Sequence, residues 1–475
     1  MNEIASGQKA HFQALFSLAD LLAALPQAKF IDCEDRCLSS SMSAISTDSR
    51  SIAAGQWYLA LKGERFDGHR FIANAIKRGA TGVIVSDLAY VEQVQAKSDV
   101  KFLVLQCDET LKAYQAIARF HLRRVKPKIV AITGSSGKTT TKEMCAAVFQ
   151  AQFKVHKSAA NENNEIGLPK TILSMPDDAQ ILVAEMAMRG LGQIDELAAI
   201  AAPDIAIITN AGSAHIELLG SLDNIAKAKC ELLAHLNIDA GLALIGNPSE
   251  HLVKKAQEMF GGKIIVCDID QLKENEVSFA VTSFKIKGVA QDFLIHAHGR
   301  AHLQDAWCAI RAALKLGMSA ETVAIGLFSY HSIDGRGNCL TGKNGATIID
   351  ESYNANPDSM RCAVSTMLDK RVFPQRKKVV ILGDMGELGA QTDSLHLELG
   401  QWLKDKQISQ LITVGKHSQR IADGAMGASY DITHLSANEE VVRLIGAELD
   451  EESCVIVKGS HSAQLETVVA DLVNG

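Results

Sequence analysis

A short glycine-rich segment, residues 134–140, follows the apolar run Ile129–Thr133 and precedes a helical pattern. Glycines let backbone N–H groups approach phosphate oxygens closely, and the start of the following helix adds the positive end of its dipole. We expect Lys138 to contact the β- and γ-phosphates of a nucleotide and the Thr139 hydroxyl to ligate Mg²⁺. An ordinary glycine turn is the alternative, but the order of strand, loop and helix favours nucleotide binding. The candidate nucleotide-binding residues are Gly134, Ser135, Ser136, Gly137, Lys138, Thr139 and Thr140.

This loop is a shortened form of a common motif. The usual phosphate loop, G-x-x-x-x-G-K-[ST], begins with a glycine, and Ile132 stands at that position here. The spacing therefore indicates a nucleotide-binding protein but does not by itself say which kind.

Two side chains near strand ends are candidate metal ligands. Glu185 ends the apolar run Ile181–Glu185, and a carboxylate at the tip of a strand beside a phosphate loop is well placed to hold Mg²⁺. A solvated glutamate at a strand end is the alternative. His215 follows the next predicted strand and is a candidate second ligand, although a lone histidine is more often structural.

Two further groups of polar residues have both a structural and a functional interpretation. Lys227 and Lys229 look like one solvated side of a helix, and that is the default interpretation. Asn161, Asn163 and Asn164 crowd three amides together, which suits a turn but also hydrogen bonding to a polar substrate. From these residues alone, the chain is an α/β protein that uses ATP and Mg²⁺ on an unidentified second substrate.

The composition disfavours several classes of protein. The net charge is -7, whereas a general nucleic-acid binder more often carries a basic face. The 10 cysteines lack the spacing of a zinc site or a C-x-x-C pair, which predicts free thiols in a reducing cytoplasm. We find neither a secretory leader nor a run of about eighteen apolar residues, so we expect no membrane span.

The elements that must position these residues alternate along the chain. Short β-branched or leucine-rich runs alternate with helical stretches, which is typical of βαβ units on a mainly parallel sheet. The predicted strands are Gly82–Ser86, Phe102–Gln106, Ile129–Thr133, Ile181–Glu185, Ile205–Thr209, Leu242–Gly246, Ala346–Asp350, Val379–Gly383, Gln410–Val414 and Cys454–Lys458. A basic stretch at 123–128 and a glycine-rich connector at 332–338 divide the chain into domains 1–125, 126–333 and 334–475.

Several further motifs accompany the phosphate loop. They are Thr47–Arg50, Ala60–His69, Asn161–Pro169, Asn210–His215, Ala228-Lys229, Gly335-Arg336, Asp350–Met360, Leu382–Gly389 and Lys458–Ser460. Together they resemble the Mur ligase family, the ATP-dependent amide-forming enzymes of peptidoglycan precursor synthesis, whose phosphate loop has the short form T-G-[ST]-x-G-K-[ST]. The resemblance covers nearly the whole chain.

The resemblance implies a three-domain α/β architecture. It comprises an N-terminal UDP-binding domain, a central parallel-sheet domain similar to P-loop ATPases, and a C-terminal Rossmann-like domain. The implied reaction joins D-alanyl-D-alanine to UDP-N-acetylmuramoyl-tripeptide through an acyl phosphate made with ATP, in cell-wall synthesis. The implied enzyme is a cytoplasmic monomer whose partners are these small molecules, and the third residue of the tripeptide, diaminopimelate or lysine, stays open.

The resemblance also implies roles for individual residues. Those implied to hold the UDP-linked substrate are Ser49, Arg50, Lys62, Gly63, Asn163 and Asn164. Those implied to reach ATP once the C-terminal domain closes are Arg336, Asp350, Tyr353 and Asn354. Two Mg²⁺ ions are implied, with Thr139, Glu185 and His215 as ligands. Lys229 matches a lysine that CO₂ converts to a carbamate in sister ligases, and Lys138, Lys229, His215 and Glu185 are the implied catalytic residues.

The chain departs from the family pattern at two positions. Residues His302–Ala306 stand where the family has H-N-x-x-N, so the contact with adenine falls to Gln304 or Asp305. His461 replaces the arginine of the motif K-G-S-R, and an imidazole holds an anion less firmly than a guanidinium. Residues 383–389 have the spacing G-x-x-G-x-x-G, which is not that of a dinucleotide fingerprint, and we expect no cofactor there.

Two rival functions remain open at this point. One is a sister ligase that adds a single amino acid, or a related folate or cyanophycin-type ligase, although the D-x-P-R motif of the diaminopimelate- and lysine-adding enzymes is missing. The other is a nucleotide-gated scaffold that binds ATP without making a bond. Lys138, Glu185 and Lys229 are all present, which argues against a scaffold.

Overall fold

The structure is a computed structural model of the 475-residue chain. It describes residues 16–31, 41–64, 66–97, 100–212, 216–278, 281–446 and 448–474. The chain forms two compact units. The first unit spans residues 1–129, 154–186 and 196–202, and the second unit spans residues 130–153, 187–195 and 203–475.

The N-terminal part of the first unit is built around a five-stranded sheet. Its elements are β1 (Phe16–Ser17), α1 (Leu18–Ala24), β2 (Lys29–Ile31), β3 (Ser41–Met42), β4 (Ile45–Ser46), β5 (Trp57–Leu59), α2 (Ile72–Lys77), β6 (Gly82–Val85), α3 (Ala89–Gln95), β7 (Leu103–Gln106) and α4 (Thr110–Val125). The strand order is β2-β7-β6-β5-β4, with β4 to β7 parallel and β2 antiparallel. All four residues of β6 are buried, and parallel strands covered on both faces have such continuous apolar sequences.

The next part of the chain contains the phosphate loop. Its elements are β8 (Lys128–Thr133), α5 (Lys138–Gln150), β9 (Val155–Lys157), α6 (Gly167–Leu173), β10 (Ile181–Glu185), α7 (Gln193–Ala201), β11 (Ile205–Ile208), α8 (Ile216–Leu219), α9 (Leu222–Cys230), β12 (Leu242–Ile245), α10 (Glu250–Met259) and β13 (Lys263–Val266). In the first unit, β9 and β10 pair in parallel. In the second unit, β8, β11, β12 and β13 pair in parallel in that order. The ends of β8 and β11 therefore lie side by side at one edge of the sheet.

An antiparallel sheet and two helices lead to the C-terminal part of the second unit. These elements are β14 (Leu272–Val277), β15 (Thr282–Ile286), β16 (Asp292–Ile295), α11 (Gly299–Lys315) and α12 (Ala320–Phe328). The C-terminal elements are β17 (Asn338–Thr341), β18 (Thr347–Glu351), α13 (Pro357–Met367), β19 (Lys377–Gly383), α14 (Thr392–Leu403), β20 (Gln410–Val414), α15 (Gln419–Ala425), β21 (Asp431–Leu435), α16 (Asn438–Ile445), β22 (Ser453–Lys458) and α17 (Glu466–Asn474).

The C-terminal sheet is doubly wound. Its strand order is β17-β18-β22-β19-β20-β21, and every pair is parallel except β17 with β18. Buried residues of α13, α14 and α15 form one core with the sheet, and those of α16 and α17 form another. Helices therefore cover both faces, as the Rossmann-like prediction requires, and that prediction is confirmed.

All ten predicted strands are present, and each boundary lies within two residues of its predicted position. The strands that were not predicted are β1–β5, β9, β13–β17 and β21. α4 ends at Val125, and Lys126 then adopts the left-handed conformation (φ 56°) before β8 begins. The compact units do not follow the division into residues 1–125, 126–333 and 334–475, which stays a prediction.

Gly82 at the start of β6 generates a test of packing in the first unit. A Cβ atom there lies 2.2 Å from Cε2 of Trp57, whose side chain is buried, so Gly82→Ala must displace the indole ring. Overpacking of this kind costs about 1–3 kcal/mol, and we expect calorimetry to show a lower melting temperature. Gly261→Ala is the control because no heavy atom lies within 4 Å of its added Cβ. Equal effects of the two substitutions would contradict the packing of β5 against β6.

Candidate active site

The phosphate loop connects β8 to α5, and two of its glycines are required by its geometry. Gly134 and Gly137 have φ angles of 154° and 78°, which side-chain-bearing residues rarely adopt. A Cβ atom on Gly134 lies 1.9 Å from Oγ1 of Thr209, and one on Gly137 lies 2.9 Å from Oδ1 of Asp305. The loop is thus packed closely between the end of β11 and α11. Both residue type and position match the predicted loop.

The residues that follow β11 hold this loop in place. Oδ1 of Asn210 accepts hydrogen bonds from the backbone N–H groups of Ser135 (3.1 Å) and Ser136 (3.0 Å). Nδ2 of Asn210 donates to Oγ of Ser136 (2.9 Å), and the Thr209 hydroxyl donates to the Ser136 carbonyl. Lys138 lies at the first turn of α5, where Nζ donates to the Gly134 carbonyl at 2.8 Å. The structure therefore assigns a positioning role to Asn210, which was named above only as the start of the motif Asn210–His215.

Asp305, on α11, lies directly against the loop. Its Oδ1 accepts a hydrogen bond from the Thr141 hydroxyl at 2.9 Å. Burial raises the pKa of the Asp305 carboxyl to about 8, although the bond from Thr141 acts in the opposite direction. The amide of the neighbouring Gln304 donates to the Cys267 carbonyl. Of the two residues expected to take over the adenine contact, Asp305 is thus the one that lies against the loop, and its contact with adenine stays a prediction.

The structure contradicts the default interpretation of Lys227 and Lys229 as a solvated pair. Lys229 is fully buried on α9, whereas Lys227 is exposed. The interpretation was wrong because residues two positions apart on a helix point to opposite sides. Burial lowers the pKa of Lys229 well below its ordinary value, and the charge of Lys138 lowers it further, while Glu231 opposes the shift. Its Nζ has no hydrogen-bond partner in the part of the chain that the structure describes.

Glu185 and the asparagine cluster lie in the first unit. Glu185 is 2% exposed, so the alternative of a solvated strand end is wrong. Its Oε1 accepts a hydrogen bond from Nδ2 of Asn163 at 2.9 Å, and its backbone N–H donates to Oγ of Ser158. Asn163 therefore orients the carboxylate. Oδ1 of Asn164 instead accepts from the backbone N–H of Gly167, the first residue of α6, at 2.8 Å.

The residues predicted to hold UDP occupy the turns after β4 and β5. Ser49 is buried, and Nδ2 of Asn74 donates to its Oγ at 3.2 Å. Arg50 is exposed and makes two hydrogen bonds of 2.9 Å to Asp48, and these bonds lower the pKa of Asp48 to about 2. Lys62 and Gly63 are exposed in the turn that follows β5. Both turns lie at the carboxyl ends of parallel strands, where α/β proteins bind ligands.

The four residues predicted to reach ATP lie together around the connector and the end of β18. The guanidinium of Arg336 lies 4.0 Å from the ring centroid of Tyr353. The carboxylate of Asp350 is buried and accepts hydrogen bonds from Gly335 and Ser352, so it ties the connector to β18.

Lys458, at the end of β22, contacts the same segment of chain. Its Nζ donates to Oε2 of Glu351 and to the Asn354 carbonyl, both at 2.9 Å. The side chain of Asn354 accepts from the backbone N–H of Ala355. These bonds hold the end of β18 against the end of β22.

His461 stands where the resemblance predicts an arginine, and its ring has a defined neighbour. It stacks on Tyr353 with ring centroids 5.9 Å apart and an interplanar angle of 29°. Arg336, Tyr353 and His461 thus form a layered row that joins the connector to the residues after β22. Tyr353 contacts both Arg336 and His461. The row therefore contains one arginine, Arg336, although position 461 is a histidine.

His215 lies outside the described residues. Among the residues that are described, no three His, Cys, Asp or Glu side chains are arranged to hold a metal ion. Mg²⁺ does not require such a group, because one or two carboxylates together with phosphates and water usually hold it. No helix of the described chain is both long enough and apolar enough to cross a membrane.

The segment 383–389 has a structural role. Gly383 ends β19, but the next helix, α14, begins only at Thr392. A dinucleotide fingerprint needs a helix start immediately after the turn, so this segment lacks that geometry. Instead, Oδ1 of Asp384 accepts from the backbone N–H groups of His417 (2.9 Å) and Ser418 (2.7 Å).

Three family models match the chain in succession. The model described as "Mur ligase family, catalytic domain" matches residues 41–121. The model described as "Mur ligase middle domain" matches residues 132–313, and that described as "Mur ligase, glutamate ligase domain" matches residues 335–461.

Individual proteins match along nearly the whole chain. The UDP-N-acetylmuramoyl-tripeptide--D-alanyl-D-alanine ligase of Bacillus subtilis is 34% identical, over 90% of this chain and 93% of that protein. The crystal structure of MurF from Acinetobacter baumannii has a TM-score of 0.84 and 27% identity, over 97% of this chain and 99% of that one. MurF from Thermotoga maritima in complex with ADP has a TM-score of 0.78 and 25% identity, over 90% and 96%.

The buried carboxyl of Asp305 generates a prediction about pH. Because the folded-state pKa is raised from 3.8 to about 8, the stability that the neutral carboxyl contributes is fully present only below pH 3.8 and is lost progressively as the pH rises to about 8. Asp305→Asn stays neutral, so we expect its melting temperature to exceed that of the wild type at pH 9 and to approach it at pH 5. Each 1 kcal/mol corresponds to roughly 2–4 °C.

Scanning calorimetry of the nucleotide-free protein from pH 5 to 9 measures this difference. Asp239→Asn is the control because Asp239 is exposed. If the curves of the wild type and Asp305→Asn run parallel across this range, the account of Asp305 is wrong.

Proposed function

The chain belongs to the Mur ligase family, and we propose on that premise that it joins D-alanyl-D-alanine to UDP-N-acetylmuramoyl-tripeptide. The product is the UDP-linked pentapeptide precursor of peptidoglycan. The observation that carries the proposal is the match, at 34% identity and over 93% of its length, to a relative named for this reaction. The ADP complex of the Thermotoga maritima relative supports the use of ATP.

Amide synthesis from a carboxylate needs an activated intermediate. A carboxylate does not react with an amine at neutral pH until one of its oxygens becomes part of a good leaving group. The terminal carboxylate of the tripeptide therefore attacks the γ-phosphorus of ATP, which forms an acyl phosphate and releases ADP. The amine of the dipeptide then attacks the acyl carbon, loses a proton as the amide forms, and displaces inorganic phosphate.

The chain contributes position and charge to the phosphoryl transfer. Lys138 supplies a cation beside the loop, and the N–H groups at the start of α5 supply the positive end of a helix dipole. Asn210 orients the backbone of Ser135 and Ser136 through its amide. Neutralising and aligning the transferring group is most of what a protein can do for this reaction.

Mg²⁺ is the proposed metal ion that accompanies the nucleotide. Thr139 and Glu185 offer the oxygen donors that this ion prefers, and Asn163 presets the orientation of the Glu185 carboxylate. Mg²⁺ would neutralise negative charge on the phosphates of ATP. His215 is the proposed ligand of a second Mg²⁺.

The environment of Lys229 supports its conversion to a carbamate. A neutral amine is the form that attacks CO₂, and burial favours that form of Lys229. The amine nitrogen bonds to the carbon of CO₂ and loses a proton, which leaves an N-carboxylate anion. An anion there would offset the charge of nearby Lys138 and offer oxygen donors to a metal ion, whereas an ammonium would repel both.

The remaining roles follow the resemblance. Ser49, Arg50, Lys62 and Gly63 are proposed to hold the UDP moiety, and Arg336, Asp350, Tyr353 and Asn354 to contribute to the ATP site. Asp350 would act by fixing the connector, because its carboxylate already accepts hydrogen bonds from Gly335 and Ser352. We propose a cytoplasmic monomer that recognises small molecules and no nucleic acid.

The choice of acceptor separates this reaction from those of sister ligases. With ATP, Mg²⁺ and the UDP-linked tripeptide, we expect phosphate release with D-alanyl-D-alanine and none above background with single amino acids. Lys138→Ala should reduce this rate by about 100-fold or more, because one charged contact to the transferring group is lost. Mass spectrometry of the product with diaminopimelate- and lysine-containing tripeptides identifies the natural third residue of the tripeptide. Turnover with a free amino acid instead of the dipeptide would contradict the assignment, and full activity of Lys138→Ala would favour a different site.

Lys229 and Lys227 form a matched pair for testing the carbamate. We expect removal of CO₂ to lower the activity of the wild type and added bicarbonate to restore it. Lys229→Ala should lose most activity without responding to bicarbonate, whereas Lys227→Ala should behave as the wild type because Lys227 is exposed. ¹³C-labelled bicarbonate should give a carbamate resonance in wild-type protein that is missing in Lys229→Ala. A wild type whose activity and spectrum ignore CO₂ would leave Lys229 as an unmodified buried amine.

A further inference from the structure

Two phenylalanine rings are stacked on each other at the surface of the first unit. Phe66 is 54% exposed and Phe71 is 40% exposed. Their ring centroids are 5.5 Å apart and the rings are nearly parallel, at 13°. Single exposed apolar residues are common on proteins, but two stacked rings that both face water form a continuous apolar patch.

This pair lies at the carboxyl edge of the N-terminal sheet. Strands β4, β5 and β6 are adjacent and parallel, so the turns that follow them meet at one edge. Phe66 belongs to the turn after β5, and Phe71 immediately precedes α2. The same edge carries Arg50 in the turn after β4. Ligands of open parallel sheets bind at this edge.

Hydrogen bonds fix the position of the pair relative to the other turns. Asn74 lies three residues after Phe71, on the same side of the helical turn, and its Nδ2 donates to Oγ of Ser49. His69 connects the turn after β5 to the end of β6, because its Nδ1 contacts Asp67 at 2.6 Å and its Nε2 accepts from the backbone N–H of Ser86 at 3.0 Å. Hydrogen bonds therefore connect the segments that carry the two rings to the turn after β4 and to the end of β6.

The side chains beside the rings complement a nucleoside diphosphate. Lys62 is exposed in the same turn as Phe66, and the side chain of Arg50 is 86% exposed. The Gly63 N–H donates to the Phe66 carbonyl at 2.8 Å, which closes the turn that carries both Lys62 and Phe66. Cations suit a diphosphate, and an exposed aromatic face suits a base, because every base has a π-face that stacks on aromatic rings.

We propose that Phe66 and Phe71 form the platform on which the uracil ring of the UDP-linked substrate stacks. Arg50 and Lys62, in the turns after β4 and β5, would contact the diphosphate. This inference rests on the proposed function and adds the residues that recognise the base. It accounts for a stacked, exposed apolar pair at the edge of a parallel sheet whose turns also carry two cations.

Binding of free uridine diphosphate tests the platform without requiring the whole reaction. By calorimetric titration, we expect Phe66→Ala and Phe71→Ala to weaken binding by roughly 10- to 100-fold, the range expected for loss of one base-stacking contact. Phe66→Trp keeps an aromatic face and should retain binding. Inorganic pyrophosphate, which has no base, should bind all four proteins with the same affinity.

Kinetics and a matched control complete the test. The alanine variants should raise the KM for the UDP-linked tripeptide by a similar factor and leave kcat and the KM for ATP nearly unchanged. Phe328→Ala is the control, because Phe328 is also exposed and also contacts a ring, that of His296, in the second unit. Circular dichroism and melting temperatures verify that each variant folds.

Three outcomes overturn the proposal. Wild-type affinity of both alanine variants for uridine diphosphate would show that the rings do not contact the base. Equal loss of pyrophosphate and uridine diphosphate binding would mean that the substitutions disturb the turn rather than a stacking surface. Wild-type affinity together with altered sedimentation would make the pair a contact between proteins. Failure of the proposed function is distinguishable, since uridine diphosphate would still bind through the rings while the dipeptide is not incorporated.

Discussion

Parallel strands constrain where the chemistry of this chain can lie. Backbone groups within a parallel sheet are paired, and the turns after the strands are the places where N–H groups and polar side chains can face a ligand. The phosphate loop follows β8, Asn210 follows β11, Glu185 ends β10, and Lys458 ends β22. The turns with Arg50 and Lys62 obey the same rule in the N-terminal sheet. Each candidate site is thus a set of strand ends braced by hydrogen bonds.

Burial of ionisable groups is the second constraint. Burial disfavours the charged forms of Lys229 and Asp305. It lowers the pKa of Lys229 and raises the pKa of Asp305, so the neutral form of each is favoured. For Asp305 the Thr141 hydroxyl provides a hydrogen bond. Lys229 lacks such a partner among the described residues, which is an arrangement that a protein rarely keeps without a chemical reason. Carbamate formation is a reason consistent with a neutral amine, because it turns the amine into an anion close to Lys138.

The sequence predicts elements that have a regular hydrophobic period or a known motif. It does not predict features that depend on contacts between residues distant in sequence. Buried parallel strands such as β6 and β10 are continuous apolar runs, so they were predicted closely. β14, with the sequence LKENEV, is charged at three of its 6 positions, and its antiparallel pairing is set by contacts that no local pattern reveals. The phosphate loop was predicted from its glycines, but the clamp by Asn210 and the contact of Asp305 depend on neighbouring strands and helices. Lys229 was misjudged because two lysines close in sequence lie on opposite sides of α9.

The central claim is that a carboxylate is activated by transfer of the terminal phosphoryl group of ATP. The direct measurement uses UDP-linked tripeptide whose terminal carboxylate carries oxygen-18, with mass spectrometry of the inorganic phosphate released during ligation to D-alanyl-D-alanine. An acyl phosphate transfers one carboxylate oxygen to phosphate, so the account predicts one labelled oxygen in each phosphate released. Phosphate that contains no label, with all of the oxygen-18 left in the peptide, would contradict it.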